Sequence, residues 1–153
     1  MEDKKALNIE SEGEGKQYIV IRLGTEQYGI DIRYVDNIVR NQRITRIPKA
    51  QPYFKGVINL RGEIIPVMSI RTKFGLEGDV YTNATRIIII KIDQTGTIGI
   101  MVDEVKEVVT LYEKDVEMVS VDTYDERTVY LSGIGKHGDS LISLLNINTV
   151  INE

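Results

Sequence analysis

The chain carries the same plan twice. Tyr28-Gly29-Ile30-Asp31-Ile32, with Val35 and Ile38 behind it, returns 70 positions later as Ile98-Gly99-Ile100-Met101-Val102 with Val105 and Val108. The runs in front also correspond, Tyr18-Ile19-Val20-Ile21-Arg22-Leu23 against Ile87-Ile88-Ile89-Ile90-Lys91-Ile92. Downstream, Gly56-Val57, Ile64-Ile65-Pro66-Val67-Met68 and Ile70 match, at a spacing of 77, Gly133-Ile134, Leu141-Ile142-Ser143-Leu144-Leu145 and Ile147. The 7 extra residues fall among residues 111–128. A chain of 153 residues organised in this way has room for two small copies of one supersecondary unit.

Each copy consists of short β-branched runs separated by turn residues such as Gly24-Thr25-Glu26, Gly62-Glu63 and Asp93-Gln94-Thr95-Gly96. About five such strands in roughly 65 residues are too few for a sandwich, and closure into a barrel removes the exposed edges of a small open sheet. The expected fold class is therefore all-β: two five-stranded barrels side by side, related by the internal repeat, with short helical turns. Residues 17–82 form the first barrel in this scheme and residues 83–153 the second. Residues 1–16, polar and rich in Glu, Lys and Gly, are expected to be a flexible tail. Ile32, Val35, Ile38 and Val39 lie at helical spacing, while their Val-rich counterparts in 102–109 fit a strand, so periodicity leaves both open there. Pro66 cannot donate to a ladder, which places its strand at an edge or at a bulge. Asn146 to Glu153 is expected to end the chain in a helical turn.

The composition argues against chemistry. With 0 cysteines there is neither a disulfide nor a thiolate zinc site, and the single histidine, His137, cannot build a transition-metal site alone. His137 lies in the turn Lys136-His137-Gly138-Asp139 and is expected to be solvated. The carboxylates Asp103, Glu104, Glu113, Asp115, Glu117, Asp122, Asp125 and Glu126 are scattered over turns and strand ends without a catalytic spacing. No serine sits in a Gly-x-Ser-x-Gly elbow, and Gly133-Ile134-Gly135 stops short of a dinucleotide loop. Tyr18, Tyr28 and Tyr34 fall on apolar periods and are expected in the core or at its rim. No enzyme activity and no cofactor are expected. A net charge of −4, with no basic and aromatic stripe, gives no general attraction for nucleic acid or anionic lipid. The charged start Met1-Glu2-Asp3-Lys4-Lys5 is unlike a secretory signal. No apolar run approaches the roughly 20 residues of a membrane span, so direct membrane insertion is not expected.

One segment is more specific. Phe54-Lys55-Gly56-Val57-Ile58 and Glu63-Ile64-Ile65-Pro66-Val67 flank the polar turn Asn59-Leu60-Arg61-Gly62, a hairpin with arginine at its tip. An arginine there serves either as a structural fork, pairing a carboxylate or capping carbonyls, or as an interface anchor. The string Gly-Val-x-Asn-Leu-Arg-Gly followed by apolar-Pro-Val resembles the signature of the CheW family of bacterial chemotaxis coupling proteins, shared with the regulatory domain of the histidine kinase CheA. Tyr28 to Ile32, Ile44-Thr45-Arg46-Ile47-Pro48 and Gly99 to Asp103 resemble further family motifs in family order, and the likeness spans about residues 16 to 150.

The resemblance implies paired five-stranded SH3-like barrels and a non-enzymatic adaptor that couples transmembrane chemoreceptors to CheA. It implies a cytoplasmic protein held at membrane-associated receptor arrays, with the receptor's cytoplasmic tip in a groove between the barrels and the kinase's regulatory domain docked on the first barrel. Val35, Ile87, Gly99 and Val108 match receptor-facing positions, Ile44 and Ile47 match the kinase-docking edge, and Gly56 and Arg61 match positions where the family is sensitive to change. Some relatives have Glu where this chain has Asn37, which leaves Arg61 to find Asp36, another acid or solvent. Two alternatives share the β pattern: a free-standing domain of the kinase-regulatory type, and an unrelated small β-barrel binding module.

Overall fold

The computed structural model describes residues 14–78, 80–92, 96–120 and 125–152, so most of the 1–16 tail lies outside the described residues. Lys16, assigned to the tail from sequence, opens the first strand. The first copy contains β1 (Lys16–Leu23), β2 (Glu26–Asp31), a 3-10 turn (Ile32–Tyr34), β3 (Val35–Arg40), β4 (Phe54–Leu60), β5 (Glu63–Ser69) and a short helix α1 (Ile70–Lys73). The second contains β6 (Arg86–Ile92), β7 (Gly96–Val102), β8 (Glu104–Leu111), β9 (Val116–Met118), β10 (Leu131–His137), β11 (Ser140–Leu145) and the terminal helix α2 (Ile147–Asn152), with 3-10 turns at Glu113–Asp115 and Glu126–Tyr130. Ser69 caps α1, its hydroxyl accepting the Thr72 N–H at 3.2 Å. The segment with ambiguous period settles as one 3-10 turn and a strand, and β3 alternates half-buried and exposed residues along its length.

Strand order explains the repeat. One sheet runs β3-β6-β7-β5-β4 and the other β8-β1-β2-β11-β10-β9. Under the repeat these are the same order, with β9 added, and each sheet combines the first hairpin of one copy with the remaining strands of the other. The register agrees residue by residue. Val67 pairs in parallel with Gly99, and Leu144 with Gly29; Gly56 lies opposite Val67, and Gly133 opposite Leu144. The bulges correspond as well, between Phe54 and Gly56 and between Leu131 and Gly133. Among the described residues two compact units result: those of 14–20, 26–32 and 107–152 in one, those of 21–25 and 33–106 in the other.

The all-β class with paired barrel-like sheets holds; among the described residues the hydrogen bonding leaves each sheet open, a minor departure from full closure. In the five-stranded sheet the outer edge of β4 is taken by a single bridge: Thr45 and Val57 exchange both N–H···O bonds at 2.8 Å. In the six-stranded sheet β9 does the same for β10, setting Glu117 opposite Ile134. Both sheets nevertheless curl around a core. Ile58, Ile65, Val67, Ile87, Ile89 and Met101 pack together with Val39 from the far edge strand, and Val20, Val109, Leu111, Ile142 and Leu144 form the second cluster. Each fully buried side chain of this size stabilises by about 1.5–3 kcal/mol. Pro66 lies on an inner strand rather than at an edge, yet the β5–β7 ladder begins only at Val67, so its missing N–H leaves no bond unmade there.

Asp103 ties the five-stranded unit together at the end of β7. Its Oδ2 accepts the Gly24 N–H at 2.8 Å and the Arg71 Nη1 at 2.7 Å, with Arg22 Nη1 at 3.7 Å. One mostly buried carboxylate thus joins the β1–β2 turn to α1. In the other unit the Tyr28 hydroxyl donates to Glu26 at 2.7 Å. Burial, and then that bond, hold the phenol above its ordinary pKa, so it stays a donor. Among the described residues no helix is long and apolar enough to cross a membrane.

Losing the Asp103 carboxylate leaves Arg71 and the Gly24 amide short of a partner, at a cost of about 2 kcal/mol. Asp103→Ala should lower the thermal midpoint by about 4–8 °C. Asp139→Ala, on an exposed turn, should leave it unchanged. Equal midpoints for the two variants in a calorimetric scan would show that Asp103 carries no structural weight.

Candidate docking surfaces

The edge of β4 is built around Gly56. Its φ of 140° lies where side chains are rarely found, and a Cβ there would collide with the Thr45 carbonyl oxygen and meet the Ile44 Cγ2 at 2.9 Å. Only glycine lets residues 44–46 lie down on β4. Gly133 repeats the arrangement: a Cβ would meet the Glu117 carbonyl oxygen at 2.9 Å and Val116 Cγ1 at 3.0 Å. Ile44 therefore corresponds to Val116, and Arg46 to Met118.

Seated in this way, Ile44 is half-buried against the core and Ile47 stands 49 % exposed. Asn41, Gln42, Ile44, Arg46, Phe54 and Tyr81 line a cavity of about 500 Å³ beside them. The equivalent edge of the other unit has a cavity of about 640 Å³ with Tyr18, Leu111, Val116, Met118 and Leu144 in its wall.

Arg61 occupies the first position of a two-residue hairpin loop. Arg61 and Gly62 have φ of 54° and 85°, the signs of a type I′ turn, and the Gly62 N–H donates to Asn59 Oδ1 at 2.9 Å. A non-glycine residue there costs about 1 kcal/mol. Arg61 is exposed, and among the described residues its guanidinium makes no hydrogen bond or ion pair. Of the partners open to it, Asp36, another acid or solvent, solvent is what the described residues leave. Ile64, next to the tip and 60 % exposed, was not singled out from sequence.

The four residues matched to a receptor divide. Val108 on β8 is 51 % exposed, and Val35 on β3 is half-buried. Ile87 is fully buried within the core and Gly99 is buried beside it, where a Cβ would lie 2.8 Å from the Ile87 Cγ2. In this conformation neither offers surface of its own: Ile87 packs with Ile89 in the core cluster, and β6 is buried on both of its faces. The repeat signals a residue the motif match missed. Ile38, 70 positions before Val108, is also an exposed apolar side chain on an edge strand, at 36 %.

Exposed apolar residues on sheet edges, with cavities beside the edge strips, define a protein that works by binding other proteins. The CheW-like domain model matches residues 17–153, and the chain belongs to the CheW family, the non-enzymatic scaffolds of chemotaxis signalling. It is 33 % identical over 139 residues to the chemotaxis protein CheW of Klebsiella aerogenes, covering 91 % of this chain and 83 % of that one. The chemotaxis protein CheW of Bacillus subtilis is 32 % identical, with 91 % and 88 % covered. The crystal structure of the scaffolding protein TtCheW from Thermoanaerobacter tengcongensis superposes with a TM-score of 0.83 at 33 % identity, covering 92 % and 94 % of the two chains.

Gly56→Ala should lift residues 44–46 from β4 while leaving β10 untouched. Amide exchange at Thr45 and Val57 should accelerate by at least tenfold, with Ile134 unaffected. Unchanged protection at Thr45 would mean that an alanine fits the bulge.

Proposed function

We propose that this scaffold couples chemoreceptors to the histidine kinase CheA, taking the kinase's regulatory domain on the β4 edge and the receptor's cytoplasmic tip through the exposed apolar Val108 of β8. It works in the cytoplasm, at the receptor arrays, held there by its partners. The observation that carries the kinase half is the exposure of Ile47 on a strip that covers the edge of β4 with a single bridge. An edge so thinly covered, with an apolar side chain standing out of it, favours docking by a second β structure. The unpaired cation of Arg61 supports a partner contact over a structural one, because the strained turn has no internal bond at the guanidinium to justify it.

The receptor half rests on Val108, an apolar side chain that the fold leaves in solvent. A receptor tip is a helical hairpin, whose apolar stripe can cover such side chains. Val35, on β3 of the other unit, is half-buried. Ile87 and Gly99 act through the core: replacing Gly99 by a larger residue displaces Ile87 and with it the sheet that carries β3.

Separate titrations of the two partners test the assignment. Ile47→Asp should weaken CheA binding by at least about tenfold, since burying an unpaired carboxylate costs on the order of 2 kcal/mol or more. It should spare the receptor fragment. Val108→Glu should do the reverse, and the far-UV spectrum should stay unchanged in both. Loss of kinase binding in Val108→Glu with receptor binding intact would exchange the two surfaces.

A further inference from the structure

We infer that the β4 edge is a docking surface selective for acid: its partner presents a β edge of the same plan, with an apolar centre flanked by carboxylates. The inference rests on kinase docking at this edge and adds the chemistry that the kinase must present. Between Asp36 and Glu63 the chain has no carboxylate, yet it carries Arg40, Arg43, Arg46, Lys49, Lys55 and Arg61, in a protein of net charge −4. Arg43, Arg46 and Lys49 are exposed, and among the described residues none of them pairs with a carboxylate. They surround Ile44 and Ile47 in sequence. Arg46 and Lys55 border both the cavity beside Ile44 and a second one, of about 360 Å³, beside Ile47. The Lys55 ammonium lies 5.7 Å from the Tyr81 ring centroid and extends the positive rim.

The chain itself shows what a complementary edge looks like. At the equivalent place on the other unit, Val116, Glu117 and Met118 occupy the positions of Ile44, Thr45 and Arg46, with Glu113, Lys114 and Asp115 just ahead, so that carboxylates outnumber the one lysine there. One backbone plan thus appears twice with opposite charge. A barrel edge of the acidic kind, brought against the β4 edge, sets carboxylates against Arg43, Arg46 and Lys49 and an apolar side chain against Ile47. A polyphosphate would leave Ile44 and Ile47 facing phosphates, and a flat bilayer does not reach into the two cavities. Exposed, unpaired cations of this kind chiefly raise the association rate and exclude partners of the wrong charge.

The test is titration of the full chain with CheA at about 0.1 M and about 1 M NaCl, between which the screening length falls from about 10 Å to about 3 Å. Wild-type affinity should fall at least about tenfold across that range. The triple variant Arg43→Gln, Arg46→Gln, Lys49→Gln should bind about tenfold more weakly at low salt and lose most of its salt response. Arg46→Gln alone should shift the same way by a smaller factor, which keeps the test open if the triple variant folds poorly. Salt-independent affinity with an unimpaired triple variant, while Ile47→Asp still abolishes binding, overturns the acid selectivity and leaves kinase docking standing. Full kinase binding by Ile47→Asp overturns the docking itself. Salt-sensitive self-association of the chain, removed by Glu117→Lys, would make a second copy the occupant and overturn the assignment to the kinase. So would binding of duplex DNA or phosphatidylglycerol vesicles as tight as that of CheA and equally lost in the triple variant.

Discussion

Two parallel contacts hold the architecture together: Val67 against Gly99, and Leu144 against Gly29. A β-hairpin alone is marginal in water, and the first hairpin of each copy gains its inner neighbour only from the other copy. Parallel pairing requires a long connection between its strands, and here the rest of the chain supplies it. Glycine stands at both contacts because the opposing side chains come too close for a Cβ. At Gly29 the nearest atom would be Leu144 Cδ2 at 2.9 Å, and at Gly99 it would be Ile87 Cγ2 at 2.8 Å. With these pairs formed, β5 and β11 are inner strands, and β4 and β10 are pushed outward to where the docking strips lie.

Those strips show how one backbone plan serves two purposes. Both edges bulge at the same place, and both hold a short segment against a glycine that cannot be enlarged. The side chains then diverge: arginine and lysine around Ile44 and Ile47, and carboxylates around Val116 and Met118. Duplication preserved what the backbone needs, the glycines and the apolar periodicity, and left the solvent-facing positions free to specialise. A scaffold benefits from this separation, because its function lies in surface complementarity and its cores need only hold the edges in place. Asp103 fits the same division of labour. Its carboxylate, shared by a backbone amide and two arginines, fastens the β1–β2 turn and α1 away from any docking residue.

Tertiary structure also reassigns residues that the motifs treat alike. Ile47 and Ile87 both match binding positions, yet one is half in solvent and the other wholly in the core. Their local sequences do not separate them, since a run such as Ile87 to Ile90 reads as a strand whether one or both of its faces are covered. Ile38 was passed over for the opposite reason. Its helical spacing with Ile32 and Val35 masked an alternating strand, and only the equivalence with Val108 identifies it.

The sequence by itself determined the duplication, the turns, the hairpin with Arg61 at its tip and the family to which they belong, because these are local patterns or fixed spacings. It also determined that Gly56 and Gly133 would play one part, since the 77-residue register survives into strand pairing. Tertiary structure decided which copy each strand joins, that the sheets stay open, and that Pro66 sits on an inner strand beyond the end of a ladder. It decided as well that Arg61 has no carboxylate partner among the described residues, while Ile87 and Gly99 are packed away. All of these depend on contacts between residues far apart in the chain. Periodicity tells which side of a strand a residue faces; it does not tell what, if anything, lies on that side.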